Sequence, residues 1–215
     1  MKKGITIMIG ITGIVLLTAA VIIGAKVFPL SETNNDVQSN ISPAKTRADN
    51  DTIAQVDGEE LTEQEFRGVL LTEIGLGEEN MSIDTALFHF ARARVATNEL
   101  KKMGEEDAAK DWRDYLPFME ELVEKDHDLS MRFCQHNGIT REDLIITTAI
   151  IQWKLESENQ LWVHRSMQNE VIDPVDPKEL SAELDKKAKR LRIKYKEKEA
   201  QTILASLPNK LENVE

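Results

Sequence analysis

An all-α fold with a minor β element is predicted for the outer part of this chain, behind an N-terminal transmembrane helix. Three observations carry the prediction. From Glu63 onward apolar residues recur at helical spacing, and Gly, Asn or Pro interrupt them at intervals that suit ordinary helices. Ile53 to Val56 nearly alternates apolar with polar residues and is followed at once by Asp57-Gly58, which reads as a short strand and a tight turn. Gly4 to Ala25 runs without a charge and is rich in Ile, Val and Leu.

That first run, at ~1.5 Å per helical residue, is long enough to cross a hydrocarbon core of ~30 Å. Lys2 and Lys3 precede it, which places the N-terminus in the cytoplasm and the rest of the chain outside. Residues 1–28 therefore read as a signal anchor, and the protein as a single-pass protein of the cell membrane with an extracytoplasmic C-terminal domain. A cleaved signal peptide ending at Ile23-Gly24-Ala25 is the competing reading, although signal h-regions are usually ~7 to 15 residues. Residues 29–51 are polar, with Leu30, Val37 and Ile41 as their large apolar residues, and read as a tether. Residues 52–215 have the length of one domain. The single cysteine, Cys134, excludes both an N-terminal lipid-modified Cys and an intramolecular disulfide framework.

Within the domain each helix has a start or a stop signal. Thr62-Glu-Gln-Glu65 fits a capping box, with Leu61 and Phe66 as its hydrophobic staple, and Gly75-Leu-Gly77 ends the helix it starts. Ser82 caps a helix predicted over Ile83 to Met103, with Gly104 as the stop. Pro117 divides the stretch from Glu106 to Lys125 into two short helices or a kinked one. His136-Asn137-Gly138 is a further stop, and Thr140 starts a helix reaching about Trp162. At ~100° per residue its Leu144, Ile151, Leu155 and Trp162 share one line, and Ile146, Ile150 and Trp153 lie opposite. Asp176-Pro177 begins a long C-terminal helix, predicted from about Lys178 to Leu207 and ~45 Å long if straight. Its apolar face shifts near Tyr195, so it bends or changes partner there.

Two stretches resemble a known family. Ile53-Ala-Gln-Val-Asp-Gly-Glu-Glu-Leu-Thr-Glu-Gln-Glu-Phe66 resembles the opening of the chaperone domain of the SurA/PrsA family of extracytoplasmic foldases, and Phe133 to Leu155 resembles a segment late in that domain. The two anchors and their spacing cover about half the chain. The resemblance implies a SurA N-terminal-like helical domain with a long helix from about Pro177, and a closing segment that pairs with the first strand, for which Leu211 to Glu215 is the candidate. It also implies unfolded or partly folded polypeptides as partners. Family members continue into parvulin isomerase domains; only 39 residues run from Pro177 to the last residue here, so isomerase activity is not expected.

Charge is divided along the chain. Residues 29–176 carry 31 acids against 14 bases, and residues 177–215 carry 10 bases against 7 acids. The acidic body argues against nucleic acid as a partner. The basic run Lys186 to Lys198 is expected to lie across that body as a counter-charge, with anionic lipid or wall polymer as the alternative. His89, His127, His136 and His164 lack metal-ligand spacing, Cys134-Gln-His136 supplies only two donors, and no Gly-rich phosphate loop is present. No metal, cofactor or catalytic group is therefore predicted.

A helix apolar on two sides must be covered twice. Either both stripes of the 140s helix are core, or one lines a cleft for apolar client segments. In the second case Ile146, Ile150 and Trp153 are the client-binding candidates, with Trp162 and Met167 at the rim, and Met103, Met119 and Met131 as further adaptable surface. The function expected is that of a non-enzymatic, membrane-anchored chaperone for secreted or envelope polypeptides. The alternative is an accessory or regulatory subunit binding one specific membrane or secreted partner.

Overall fold

The computed structural model describes residues 52–77, 81–168 and 176–212. The expected membrane helix at 1–28 and linker at 29–51 lie outside these residues. The described part is mostly helical, 71% helix against 8% strand. It opens with a hairpin, β1 (Thr52–Val56) and β2 (Glu59–Thr62). Asp57 and Gly58 both have positive φ, 50° and 88°, the two-residue turn whose twist matches that of the strands it joins. Thr52 pairs with Thr62 and Ala54 with Leu61, so Ile53 is an extra residue in β1, a bulge that turns it inward alongside Ala54 and Val56.

The helices follow their caps. α1 (Glu63–Gly75) starts on the Thr62–Glu65 capping box: the Thr62 N–H donates to the Glu65 carboxylate at 2.8 Å and the Glu65 N–H returns to the Thr62 hydroxyl at 3.4 Å. Leu61 and Phe66, the staple, are fully buried. α2 (Ile83–Lys102) is capped by Ser82, which accepts from the Thr85 N–H at 3.1 Å. Pro117 acts as expected, although residues before Asp111 form turns instead of a helix: a 3-10 turn (Trp112–Tyr115) runs into α3 (Leu116–Lys125) with Pro117 in its first turn, where a missing N–H costs nothing. α4 (His127–Asn137) ends on Gly138 at φ 64°. α5 (Arg141–Gln168) starts on a reciprocal Thr140–Asp143 pair, both bonds 3.0 Å, and extends past the predicted Trp162.

α5 is the axis of the domain, with α1, α2, α3 and the 3-10 turn packed around it. Its crossing with α1 depends on Gly68. A Cβ there would stand 2.3 Å from the Ile146 Cγ2, so only glycine allows the two helices to approach this closely.

The long C-terminal helix is not formed. The segment divides into α6 (Pro177–Ala188), a strand β3 (Ile193–Tyr195) and α7 (Glu197–Ser206). Two features of the sequence account for this. Arg190-Leu-Arg-Ile-Lys-Tyr-Lys196 alternates basic and apolar residues with the period of a strand. A continuous helix would also stack Lys186, Arg190, Lys194 and Lys198 at four-residue spacing, like charge on like. β3 pairs antiparallel with β1, Ala54 opposite Tyr195 and Val56 opposite Ile193, giving the sheet order β2-β1-β3. The closing strand expected at Leu211 to Glu215 is thus supplied by Ile193–Tyr195. Glu212 instead docks on α4, its N–H donating to the Asn137 side-chain oxygen at 2.7 Å.

Candidate functional site

The two stripes of α5 have different fates along the helix. Ile146, Ile150 and Trp153 are buried, with Trp153 fully so. The expectation that they line an open cleft is corrected: α1 and α2 cover that side. Trp153 packs tilted against Phe90, with ring centroids 5.0 Å apart and planes at 58°, and its indole N–H donates to the Thr97 hydroxyl at 2.9 Å. On the other stripe Leu144 and Ile151 are buried as well, but Leu155 is 50% exposed and Trp162 half-buried. Met167, near the end of α5, is 70% exposed. Of the other methionines, Met119 is buried, and Met103 and Met131 are partly so.

The change follows from what surrounds the helix. Beyond Trp153, α5 meets α2 through Glu158 and Arg165, and α6 also leans on α2. α5 and α6 are joined mainly by charge. Arg165 on α5 donates to Glu183 on α6 at 2.5 Å, Lys187 binds Glu183 at 2.7 Å, and both reach Glu99 on α2, at 3.4 and 2.7 Å. Arg92 on α2 spans the two helices, donating to Glu158 at 2.8 Å and Asp185 at 3.1 Å. Between them lies a groove of about 340 Å³, with Leu180, Leu184, Pro177 and Trp162 as its apolar wall and Arg92, Glu158, Asn159 and Ser181 as its polar one. The hydrogen bond from Arg165, and then that from Lys187, draws the Glu183 carboxyl down to about 2. Glu99 is also held below its ordinary value, the cost of burial being outweighed by bonds from Lys102 and Lys187. These acids are therefore charged at neutral pH, and the bridges that hold α2, α5 and α6 together beside the groove are ionic.

The chain matches no family model, and no curated protein or solved structure is detectably similar to it.

Two polar clusters lie elsewhere. Glu73 on α1, 1% exposed, takes the Lys154 ammonium on one carboxylate oxygen and the His89 Nδ1 on the other at 2.6 Å. Burial would raise the Glu73 carboxyl; the His89 hydrogen bond and the Lys154 charge outweigh it and hold the group below the usual carboxylate range. Among the described residues no hydroxyl or thiol bonds to this histidine, so the pair lacks a nucleophile to activate. The second cluster ties the hairpin to the 3-10 turn: Arg113 binds Glu59 at 2.5 Å and Glu65 at 3.1 Å, stacks over Trp112 at 4.4 Å, and Arg94 binds Glu59 at 2.8 Å. Cys134 is buried and its thiol faces the Thr140 carbonyl at 3.5 Å. Burial, then the nearby Asp143 charge, pushes its pKa up, which makes it a poor nucleophile. Among the described residues no three His, Cys, Asp or Glu side chains come together as a metal-ligand set.

Trp162 and Met167 were legible in the sequence as surface candidates. The ion pairs that join the helices beside the groove were not. Arg92, Arg165 and Glu183 lie on three helices far apart in the chain, and only the Glu183–Lys187 spacing of four hinted at a paired face.

Proposed function

We propose that this protein is a membrane-anchored extracytoplasmic chaperone that holds unfolded or partly folded secreted or envelope polypeptides and releases them without a chemical step. The observation that carries this reading is the combination on the distal half of α5: exposed Leu155 in line with half-buried Trp162 beside a groove of about 340 Å³. A groove near the lower end of the range for small-ligand sites, ~300 to 1,000 Å³, takes one or two apolar side chains of an extended segment, and its ionic wall accepts backbone amides and carbonyls. Weak, replaceable contacts of this kind suit a holdase. The pairing of a C-terminal strand with β1, a trait the SurA/PrsA resemblance implies, adds support.

A second reading, an accessory subunit for one partner, is favoured by the fixed Arg92–Glu158–Asp185 bridge, since a rigid polar frame selects among ligands. Cross-linking in cells followed by identification of the captured chains separates the two. Many unfolded clients support the chaperone, and a single stoichiometric partner supports the accessory subunit.

A further inference from the structure

The run Lys186 to Lys198 contains eight bases and one acid. It was expected to neutralise the acidic body, and one of its residues does: Lys187 pairs with Glu99 and Glu183. Lys186, Lys189, Arg190, Arg192, Lys194 and Lys198 are exposed, and among the described residues none of the six forms an ion pair. Ordinary structural roles cover part of the set. Lys186 sits in the last turn of α6, where a cation favours the helix end. Lys194 on the edge strand β3 discourages pairing with another sheet. Lys189, the C-cap of the same helix, shares that role. Neither role reaches Arg190, Arg192 or Lys198, whose crowding with the others is a repulsive cost unless an anionic surface offsets it.

Their position indicates which surface. β3 lies against β1, the strand through which the chain enters the domain: the Lys196 N–H donates to the Ile53 carbonyl at 2.9 Å, and the Asp57 N–H donates to the Arg192 carbonyl at 2.8 Å. The basic edge is thus a neighbour of Thr52, and 26 residues, 26–51, separate Thr52 from the apolar run Gly4 to Ala25. Even fully extended, a chain of that length reaches no more than roughly 90 Å, which ties the basic edge to the neighbourhood of the membrane that holds the anchor. We propose that the end of α6, β3 and the start of α7 form a docking surface for the anionic phospholipid headgroups of the membrane that holds the protein, so that the domain sits with its basic edge on the bilayer. This rests on the membrane attachment put forward above. Docking would turn the acidic body away from a surface of the same charge.

The test uses the full chain in lipid nanodiscs, one set of phosphatidylcholine alone and one containing one-third phosphatidylglycerol, with a water-soluble amine reagent and mass spectrometry to read each lysine. Reactivity of Lys189, Lys194 and Lys198 is expected to fall about tenfold in the anionic discs and to recover in about 0.5 M salt, where the screening length shrinks to ~4 Å. Lys101 and Lys110, exposed elsewhere, should not change. The combined variant Lys189→Glu, Arg190→Glu, Lys194→Glu should return Lys198 to its neutral-disc reactivity. Incorporation into both discs with equal reactivity in each overturns the docking and leaves the anchor standing. Protein recovered outside the neutral discs overturns the anchor instead, and protection on adding anionic vesicles to that soluble protein still supports the docking surface. Equal protection from soluble poly(glycerol phosphate) in neutral discs overturns lipid as the occupant.

Discussion

The two halves of α5 differ in apolar content and in how much of it is covered: seven of the ten residues from Leu144 to Trp153 are apolar and all are buried, whereas five of the fifteen from Lys154 to Gln168 are apolar and, of these, Leu161 alone is buried. From Leu144 to Trp153 the helix is enclosed by α1, α2, α3 and the 3-10 turn, and both of its stripes are buried. From Lys154 onward, Leu155 and Met167 face solvent, Trp162 is half-covered, and the neighbouring α6 is linked by ion pairs. Periodicity shows that a face is apolar. Whether it is covered depends on what packs over it, and beyond Trp153 the neighbouring α2 and α6 meet the helix through ion pairs at Glu158 and Arg165 and leave Leu155 and Met167 open.

The comparison breaks if the first half is not core. Trp153→Ala removes a fully buried indole together with its tilted packing on Phe90 and its bond to Thr97, and should cost ~3 to 5 kcal/mol in a urea or thermal unfolding experiment. A loss below about 1 kcal/mol would mean that this stripe tolerates solvent and lines a cleft after all.

Glu73 marks the boundary between the halves, because its partner Lys154 is the residue after Trp153. Glu73→Ala leaves that ammonium, 13% exposed, without its counter-ion, and should destabilise by about 3 kcal/mol. Lys154→Met in the same chain should recover much of the loss. If the double variant is no more stable than Glu73→Ala alone, the unpaired charge is not the cause.

Acid should act on both halves through carboxylates that are bonded to cations. Glu73, Glu99, Asp143 and Glu183 all have folded pKa values below their ordinary ones, Glu183 at about 2. Each therefore contributes stability that is present above the unfolded value, 4.5 for the glutamates, and lost as pH falls through the folded value. The urea midpoint should hold from neutral pH to about 5 and then decline toward pH 2. Glu183→Gln should lower the midpoint at neutral pH and, for that reason, flatten part of the decline toward acid. A midpoint independent of pH over this range would remove the ionic frame from the account.

Much of the fold was legible because its boundaries are local chemistry: the Asp57-Gly58 turn, the Thr62 and Thr140 caps, Gly138 and Pro117 each act within a few residues. The C-terminal segment was misread because helical spacing was followed through Arg190 to Lys196, where alternation by two was the stronger pattern and the free edge of β1 stood ready to accept it. The groove was not legible at all. Its walls come from α2, α5 and α6, and no local pattern records that Arg92 and Arg165 meet their acids on another helix.

Leu155→Ala and Met167→Ala should each change stability by no more than ~0.5 kcal/mol, since neither side chain is enclosed. That makes the distal half of α5 open to a direct test. A photo-crosslinking side chain placed at Leu155, 50% exposed, is compared with one at Phe118 on α3, 44% exposed and remote from the groove, in the presence of a chemically unfolded model protein. If the second half of α5 holds clients, adducts form at position 155 and an excess of competing unfolded peptide suppresses them, while position 118 gives little. Equal yields at the two positions, or none at 155, would contradict client binding at this site.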